Sequence, residues 1–428
     1  MKGRTGALLA LVAIEKGKRA QNALHTVFEK YGVKKKDKAL ATELTYGVTR
    51  WRKRLDYILS HYLKTPLSDL TPYIRNILRI GVYSILFMKT PRYAAVSECV
   101  KLAKRYGHEG VAGLVNAVLR RVEDRVEYPE EDIERLSVYY SLPEWIVARA
   151  FELFGEDAEK FLIASNGAPP LSIRVNLKKT TPKELVSLLR RSGIKVESGK
   201  YLPYSLRVEG KALETKFLRE GLFTVQDESS SFVVELLSPE PGDGVLEVCS
   251  APGGKTTHIA EKGGRVVAVD TDKEGLSLVV KGAERLGLSG IYPVLGDGRN
   301  IVFKKKFDKI LVDAPCSGLG VLRRRPDLRW NIKEEDIPRL VELQFAILKN
   351  VSRYLKKGGV LVYSTCTVEP YENELLIKRF LEEEKGWEVE DAGEFLPEEV
   401  VREGYLATYP HIHGIDGVFG ARLKKKGG

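Results

Sequence analysis

The chain has 428 residues, of which 43% are hydrophobic and 30% charged, and its 69 Lys and Arg against 58 Asp and Glu leave a formal net charge of +11. That length exceeds what one core usually organises and predicts two or three domains, which the hydrophobic share is ample to fill. No apolar run is long enough to span a bilayer, since Ala7 to Ile14 is short and closes at Glu15 and Lys16 without a cleavage-site pattern, so a soluble cytoplasmic protein is expected.

The positive surplus attracts polyanions, and with no membrane segment nucleic acid is the leading partner class. The lysine runs 34–36, 304–306 and 424–426 are each also compatible with plain solvated charge. Cys99, Cys249, Cys316 and Cys366 show none of the close pair spacings that suggest zinc and no dense disulfide framework. No metal is expected, and reduced thiols are free for chemistry.

Up to Pro143 the chain reads as helices. Apolar residues recur at helical spacing in 39–51, 74–87, 94–106 and 111–122, separated by Thr65-Pro66, Thr71-Pro72, Thr90-Pro91 and Tyr106-Gly107. This predicts a helical bundle with a binding role; Cys99 lies within an amphipathic helix and reads as a packed side chain. Helix continues to about Asn166, after which the period changes. Leu171 to Leu177 alternates like a strand, Thr181-Pro182-Lys183-Glu184 carries a capping box, and 204–208 and 222–225 are strand-like. A small α+β module is expected here, with 198–203 unassigned.

From about Ser229 a helix is followed by buried-type strands alternating with helices, the pattern of a mainly parallel sheet covered on both faces. Val245 to Val248 leads into Cys249-Ser250-Ala251-Pro252-Gly253-Gly254-Lys255-Thr256 and then a helix start. Glycines allow close backbone approach, and a helix start offers free N–H groups to an anionic ligand. The next strand ends at Asp270, placed to take ribose hydroxyls; a third ends in Gly296-Asp297-Gly298 and a fourth in Asp313. Neither a full dinucleotide fingerprint nor the P-loop spacing is present, so an adenosine ligand without polyphosphate fits best.

Two cysteines occupy the same edge, Cys316 in Asp313-Ala314-Pro315-Cys316-Ser317-Gly318 and Cys366 in Ser364-Thr365-Cys366-Thr367. Either alone could be a small buried side chain; two beside an adenosine site point to thiol-assisted alkyl transfer. The residues alone do not rank the two thiols.

The segments CSAPGGKT, VVAVD, GDGR, DAPCSGLGVLRRRPDLRW and STCTVEPYENE resemble the Sun (NOL/NOP/Sun) family of RNA cytosine-5 methyltransferases. ALATELTYGVTRW, AAVSECVKLAK and GLVNAVLRRV look like the NusB-like domain of its bacterial Sun/RsmB branch, which modifies small-subunit ribosomal RNA. SIRVN and FTVQDESSS are similar to the segment preceding the catalytic domain, and only 382–403 is uninformative. The resemblance implies a multidomain α and α/β protein: a NusB-like helical RNA-binding domain over 1–143, a helical linker and small α+β module over 144–228, and a Rossmann-like methyltransferase domain over 229–428.

It further implies S-adenosylmethionine bound by Cys249, Ser250, Ala251, Pro252, Gly253, Gly254, Lys255, Asp270, Asp297 and Asp313. Cys366 is the implied nucleophile and Cys316 assists product release, while Glu247 stands where the family often has Asp. By the family's fold, an antiparallel edge strand is expected near 417–423. Asp313 is expected against the cytosine ring, and Arg323, Arg324, Arg325, Arg329 and Trp330 are expected to hold phosphates and stack a base. The target is an unpaired or flipped cytosine of ribosomal RNA. Transfer RNA, or a non-catalytic role in ribosome assembly, are the competing readings.

Overall fold

The computed structural model describes residues 1–426, which form two compact units: Met1–Gly167 with Leu322–Ile332, and Ala168–Val321 with the chain from Lys333 onward. The first unit is helical, with helices at Gly3–Glu15, Ala20–Tyr31, Lys35–Arg50, Arg52–Ser60, Pro72–Leu86, Arg92–Tyr106, Glu109–Arg121, Asp132–Tyr139, Glu144–Phe154 and Ala158–Asn166. Local chemistry sets their ends. The Thr71 hydroxyl accepts the Ile74 amide at 3.4 Å with Pro72 at the first helical position, and Gly32 closes the second helix at φ 57°. Leu8, Leu44, Val48, Ile58, Leu78 and Cys99 are buried together in one core. Burial pushes the Cys99 thiol up to about 12, in keeping with a packing role.

The expected boundary at 143 falls just before helices Glu144–Phe154 and Ala158–Asn166. Both helices belong with the helical unit, because contacts distant in sequence hold them there: Lys53 donates to Glu144 at 2.9 Å, and Arg329 to the Asn166 side chain at 2.7 Å and the Ser165 carbonyl at 3.0 Å. The α+β module belongs with the second unit instead.

In that module β1 (Ser172–Val175), β2 (Val196–Ser198), β3 (Ser205–Val208) and β4 (Phe223–Val225) form an antiparallel sheet in the order β2-β3-β1-β4. Helix Pro182–Arg191 starts with the expected capping box at Thr181 and Glu184 and buries Leu185 and Leu189 against Ile173, Val175 and Phe223. Residues 199–203 have no periodicity to read. They are held by the buried Glu228 carboxylate, which accepts the amides of Lys200, Tyr201 and Leu202 at 3.0, 2.8 and 2.9 Å.

The large sheet contains β5 (Gly244–Val248), β6 (Arg265–Asp270), β7 (Ile291–Leu295), β8 (Phe307–Asp313), β9 (Leu355–Thr365), β10 (Trp387–Glu390), β11 (Val401–Arg402), β12 (Tyr405–Thr408) and β13 (Val418–Lys425). Its order is β11-β12-β13-β9-β8-β5-β6-β7, with β10 also on β13, and β5 through β9 are parallel. Both faces are covered. Val245, Leu311, Val360 and Val362 enter one core while Leu246, Ile310, Val312, Leu361 and Tyr363 enter the other, as strand alternation requires. Pro293 sits in β7, the edge strand, where a missing ladder N–H is tolerated.

β13 runs antiparallel to β9 as expected, but it is not the edge. β12 and β10 both pair with it, and Arg422 and Lys424 on β13 reach Glu390 on β10 at 2.8 and 3.0 Å. The uninformative stretch 382–403 contains β10 and the true edge β11, each too short to carry a periodic signal.

Candidate active site

The chain runs from β5 out to β7 and then returns beside β5 as β8. That reversal opens a crevice at the carboxyl ends of the parallel strands, where such sheets bind ligands. Cys249 follows β5 at φ 62° and Gly253 precedes helix Gly254–Glu261 at φ 99°. A Cβ on Gly253 would lie 3.0 Å from Val279 Cα in a backbone conformation that side chains rarely adopt, so the turn requires glycine. Asp270 at the end of β6 ties the turn to its neighbour, accepting the Ala251 amide at 2.9 Å and the Asp272 amide at 2.8 Å. Asp297 pairs with Arg299, whose hydrogen bonds hold its carboxyl below the usual range despite some burial. Beneath the turn, burial pushes the Glu247 carboxyl up to about 8, with the nearby Thr256 hydroxyl only partly opposing it. Burial and the nearby Asp270 and Asp313 charges raise the Cys249 thiol, which makes it a neutral wall of the crevice.

Asp313 ends β8 and accepts the Lys255 ammonium at 2.7 Å on one oxygen and the Ser364 hydroxyl at 3.0 Å on the other. Burial opposes charge on Lys255, but the charge and hydrogen bond of Asp313, with Cys366 contributing, raise its pKa. β8 and β9 lie side by side in register from Lys309 to Asp313, and the loops that follow them bring Cys316 and Cys366 together. The two sulfurs are 3.1 Å apart, and the Cys366 amide donates to Cys316 Sγ at 3.2 Å. Gly320 donates to the Cys366 carbonyl at 3.1 Å, fixing one loop on the other.

A buried network that sequence reasoning missed holds these loops. Glu372 is fully buried and accepts the Ser317 amide at 2.9 Å, the Gln344 side chain at 2.7 Å and the Ser317 hydroxyl. Ser317 also meets the Thr367 hydroxyl at 2.7 Å, and Asn373 bonds Thr365 at 2.6 Å and the Thr367 carbonyl at 3.1 Å. The signal available was the carboxylate and amide cluster in EPYENE, directly after Cys366.

The arginine segment is a correction. Residues 322–332 belong to the helical unit. Arg329 is fully buried there and donates to the carbonyls of Arg50, Ser141 and Ser165 at 3.2, 3.2 and 3.0 Å and to the Asn166 side chain at 2.7 Å. Fully buried with both terminal nitrogens engaged, Arg329 is a clamp on the helical unit and has no exposed edge for a phosphate. Arg323 is also buried, and its carbonyl accepts from Arg50 at 2.9 Å. Trp330 donates its indole N–H to the Thr49 carbonyl at 2.6 Å and stacks on the Arg52 guanidinium, 4.2 Å from the ring centre, in place of a base. Arg324 and Arg325 are partly exposed.

Among the described residues no group of three or more His, Cys, Asp or Glu is arranged to hold a metal, and no helix is long and apolar enough to cross a membrane.

Comparison with known proteins agrees with this architecture. Residues 234–424 match the model of the 16S rRNA methyltransferase RsmB/F family, residues 1–124 match the NusB family, and residues 142–213 match the RsmF/B-like ferredoxin-like domain. The chain is 37% identical to the probable ribosomal RNA small subunit methyltransferase B of Bacillus subtilis, with 98% of each chain covered. Among solved structures it is similar to PH0851, at 28% identity and TM-score 0.85 over 98% of each chain. It is also similar to NSun6 from Pyrococcus horikoshii with SFG, at 26% identity and TM-score 0.60 over 67% of this chain and 99% of that one.

Proposed function

The chain belongs to the RsmB/F family of 16S rRNA methyltransferases, and from that premise we propose that it methylates carbon 5 of a cytosine in small-subunit ribosomal RNA through a covalent bond to Cys366. The observation that carries this reading is the pair of thiols 3.1 Å apart at the strand ends, beside the Lys255–Asp313 ion pair.

The cofactor is S-adenosylmethionine, and the residues present fit it. The turn at Gly253 excludes any side chain from its floor, and Asp270, Asp297 and Asp313 stand at successive strand ends as acceptors for ribose hydroxyls and for cationic groups. When bound, it supplies an electrophilic methyl group.

The remaining work falls to the chain. Carbon 5 of cytosine is a poor nucleophile until a thiolate adds to carbon 6 and turns the ring into an enamine-like species. Cys366 makes that bond, with the Lys255 ammonium as the positive charge available to its thiolate. Negative charge then builds toward ring nitrogen 3, where Asp313 must carry a proton in order to donate a hydrogen bond, with Lys255 the adjacent cation. After methyl transfer the carbon 5 proton leaves to a base and the sulfur–carbon 6 bond breaks, returning its electrons to Cys366. Cys316, hydrogen-bonded to Cys366, assists this release. The helical unit adds RNA affinity, and the net charge of +11 favours a polyanionic substrate.

The test is methyl transfer from labelled S-adenosylmethionine to unmodified small-subunit ribosomal RNA, with transfer RNA as the competing substrate and denaturing gels to trap adducts. Transfer to ribosomal RNA is expected, with no adduct in Cys366→Ala and accumulated adduct in Cys316→Ala. Label on transfer RNA alone changes the substrate. Cofactor binding without transfer to any RNA favours a role in assembly.

A further inference from the structure

The chemistry proposed above needs one thiol that attacks and one that keeps its proton, yet the two sulfurs share one contact of 3.1 Å. Their surroundings are unequal. Lys255 is the cation that senses Cys366. Cys316 faces Cys366 itself and the Glu372 carboxylate, with the buried Tyr363 phenol also within electrostatic reach. Glu372 is fully buried with no Lys or Arg bonded to it among the described residues, so burial raises its pKa against the hydrogen bonds of Ser317 and Gln344, and it grips the residue after Cys316 through both the amide and the hydroxyl of Ser317. Gln344 completes the cage by bonding Glu372 at 2.7 Å and the Pro315 carbonyl at 2.9 Å, so the carboxylate is anchored on both sides of Cys316.

We propose that Glu372 is the positioning residue that divides the labour of the two thiols: its carboxylate, locked onto Ser317, holds Cys316 against Cys366 as the protonated partner and leaves Cys366 to attack. This rests on reading the site as a two-thiol methyltransferase. The electrostatics agree with the geometry. The hydrogen bond with Cys366, then burial, then the charges of Cys366 and Glu372 push the Cys316 thiol well above its ordinary range, and the Cys366 amide only partly opposes them. A Cys316 thiol that keeps its proton can hydrogen-bond to the Cys366 sulfur, which stabilises the thiolate before attack and favours its departure afterwards. Glu372 touches neither thiol by a hydrogen bond and acts through Ser317 and through its charge.

The test is alkylation of the full-length protein by iodoacetamide at fixed pH, without RNA, with Cys316 and Cys366 peptides followed by mass spectrometry. In the intact protein Cys366 is labelled faster than Cys316. In Glu372→Gln, which keeps the shape and removes the charge, labelling of Cys316 relative to Cys366 rises about tenfold, the equivalent of one unit of thiol acidity. Glu372→Asp, which retains the charge, restores most of the original ratio. An unchanged ratio in a Glu372→Gln protein that still binds S-adenosylhomocysteine overturns the proposal. So does equal or faster labelling of Cys316 in the intact protein, a result that needs no variant to fold. Because alkylation requires no RNA, a failure of methyl transfer with the labelling asymmetry intact would count against the proposed function and not against the role of Glu372.

Discussion

Two stretches only a few residues apart, 313–318 and 322–332, hold buried or half-buried charge to opposite ends. In the crevice, Lys255 meets the Asp313 carboxylate and burial is overcome, so its proton is held more tightly than usual. In the second stretch Arg329 meets only neutral oxygens, and burial, with Arg50 adding repulsion, lowers its pKa to about 9. A buried cation opposite a carboxylate retains a charge that chemistry can use, whereas one ringed by carbonyls is a fastener. A run of arginines beside a catalytic loop is therefore evidence about function only when their partners are known.

That contrast can be broken from either side. The largest effect expected is from Lys255→Met, which leaves Asp313 without its cation and lowers the single-turnover rate of methyl transfer about 10²- to 10³-fold, roughly 3–4 kcal/mol of transition-state stabilisation. A rate within a few-fold of the intact protein would make the ion pair structural only. Arg329→Met strips five oxygens of their donor and is expected to cost about 2–4 kcal/mol in denaturant unfolding. A variant of unchanged stability that instead lost RNA affinity would restore the phosphate-contact reading.

Glu247 sharpens the comparison, being a buried acid near charges of both signs. Its folded pKa, about 8, lies above the unfolded value of 4.5. Between those values the folded chain keeps a proton that the unfolded chain has released, so stability falls as pH rises, by at most about 1.4 kcal/mol per pH unit. Glu247→Gln should flatten that slope, and parallel stability curves for the two proteins over this window would refute the assignment. The smallest effect is from Arg299→Ala, whose partner Asp297 is reached in solvent: no resolvable shift in the unfolding midpoint is expected. A clear loss would mean that Asp297 is held more firmly than its exposure implies.

Much of the architecture was legible because it is written in short-range patterns. Helical periodicity, proline and threonine caps, glycine turns and alternating strand residues act over a few positions, and β5 through β9 lie close to where those patterns put them. The strand-end acids and both thiols were legible for the same reason, since each sits at a fixed offset from an element end. The parts that were not legible share a cause too. Residues 199–203 depend on Glu228, the packing of helices 144–166 on Lys53 and Arg329, and the place of β13 on strands too short to show a period. Each is settled by a partner tens to hundreds of residues away.

By itself, then, the sequence determined the parallel strands β5 through β9, the glycine turn and which side chains follow the strand ends, because local sterics and hydrophobic periodicity suffice for those. Tertiary structure alone decided that the sulfurs meet at 3.1 Å, that Glu372 grips one of their loops, and that Arg329 turns inward. Burial and hydrogen-bond partnership are properties of the packed chain, and the same residue type is a catalyst's support or a fastener according to what packing sets against it.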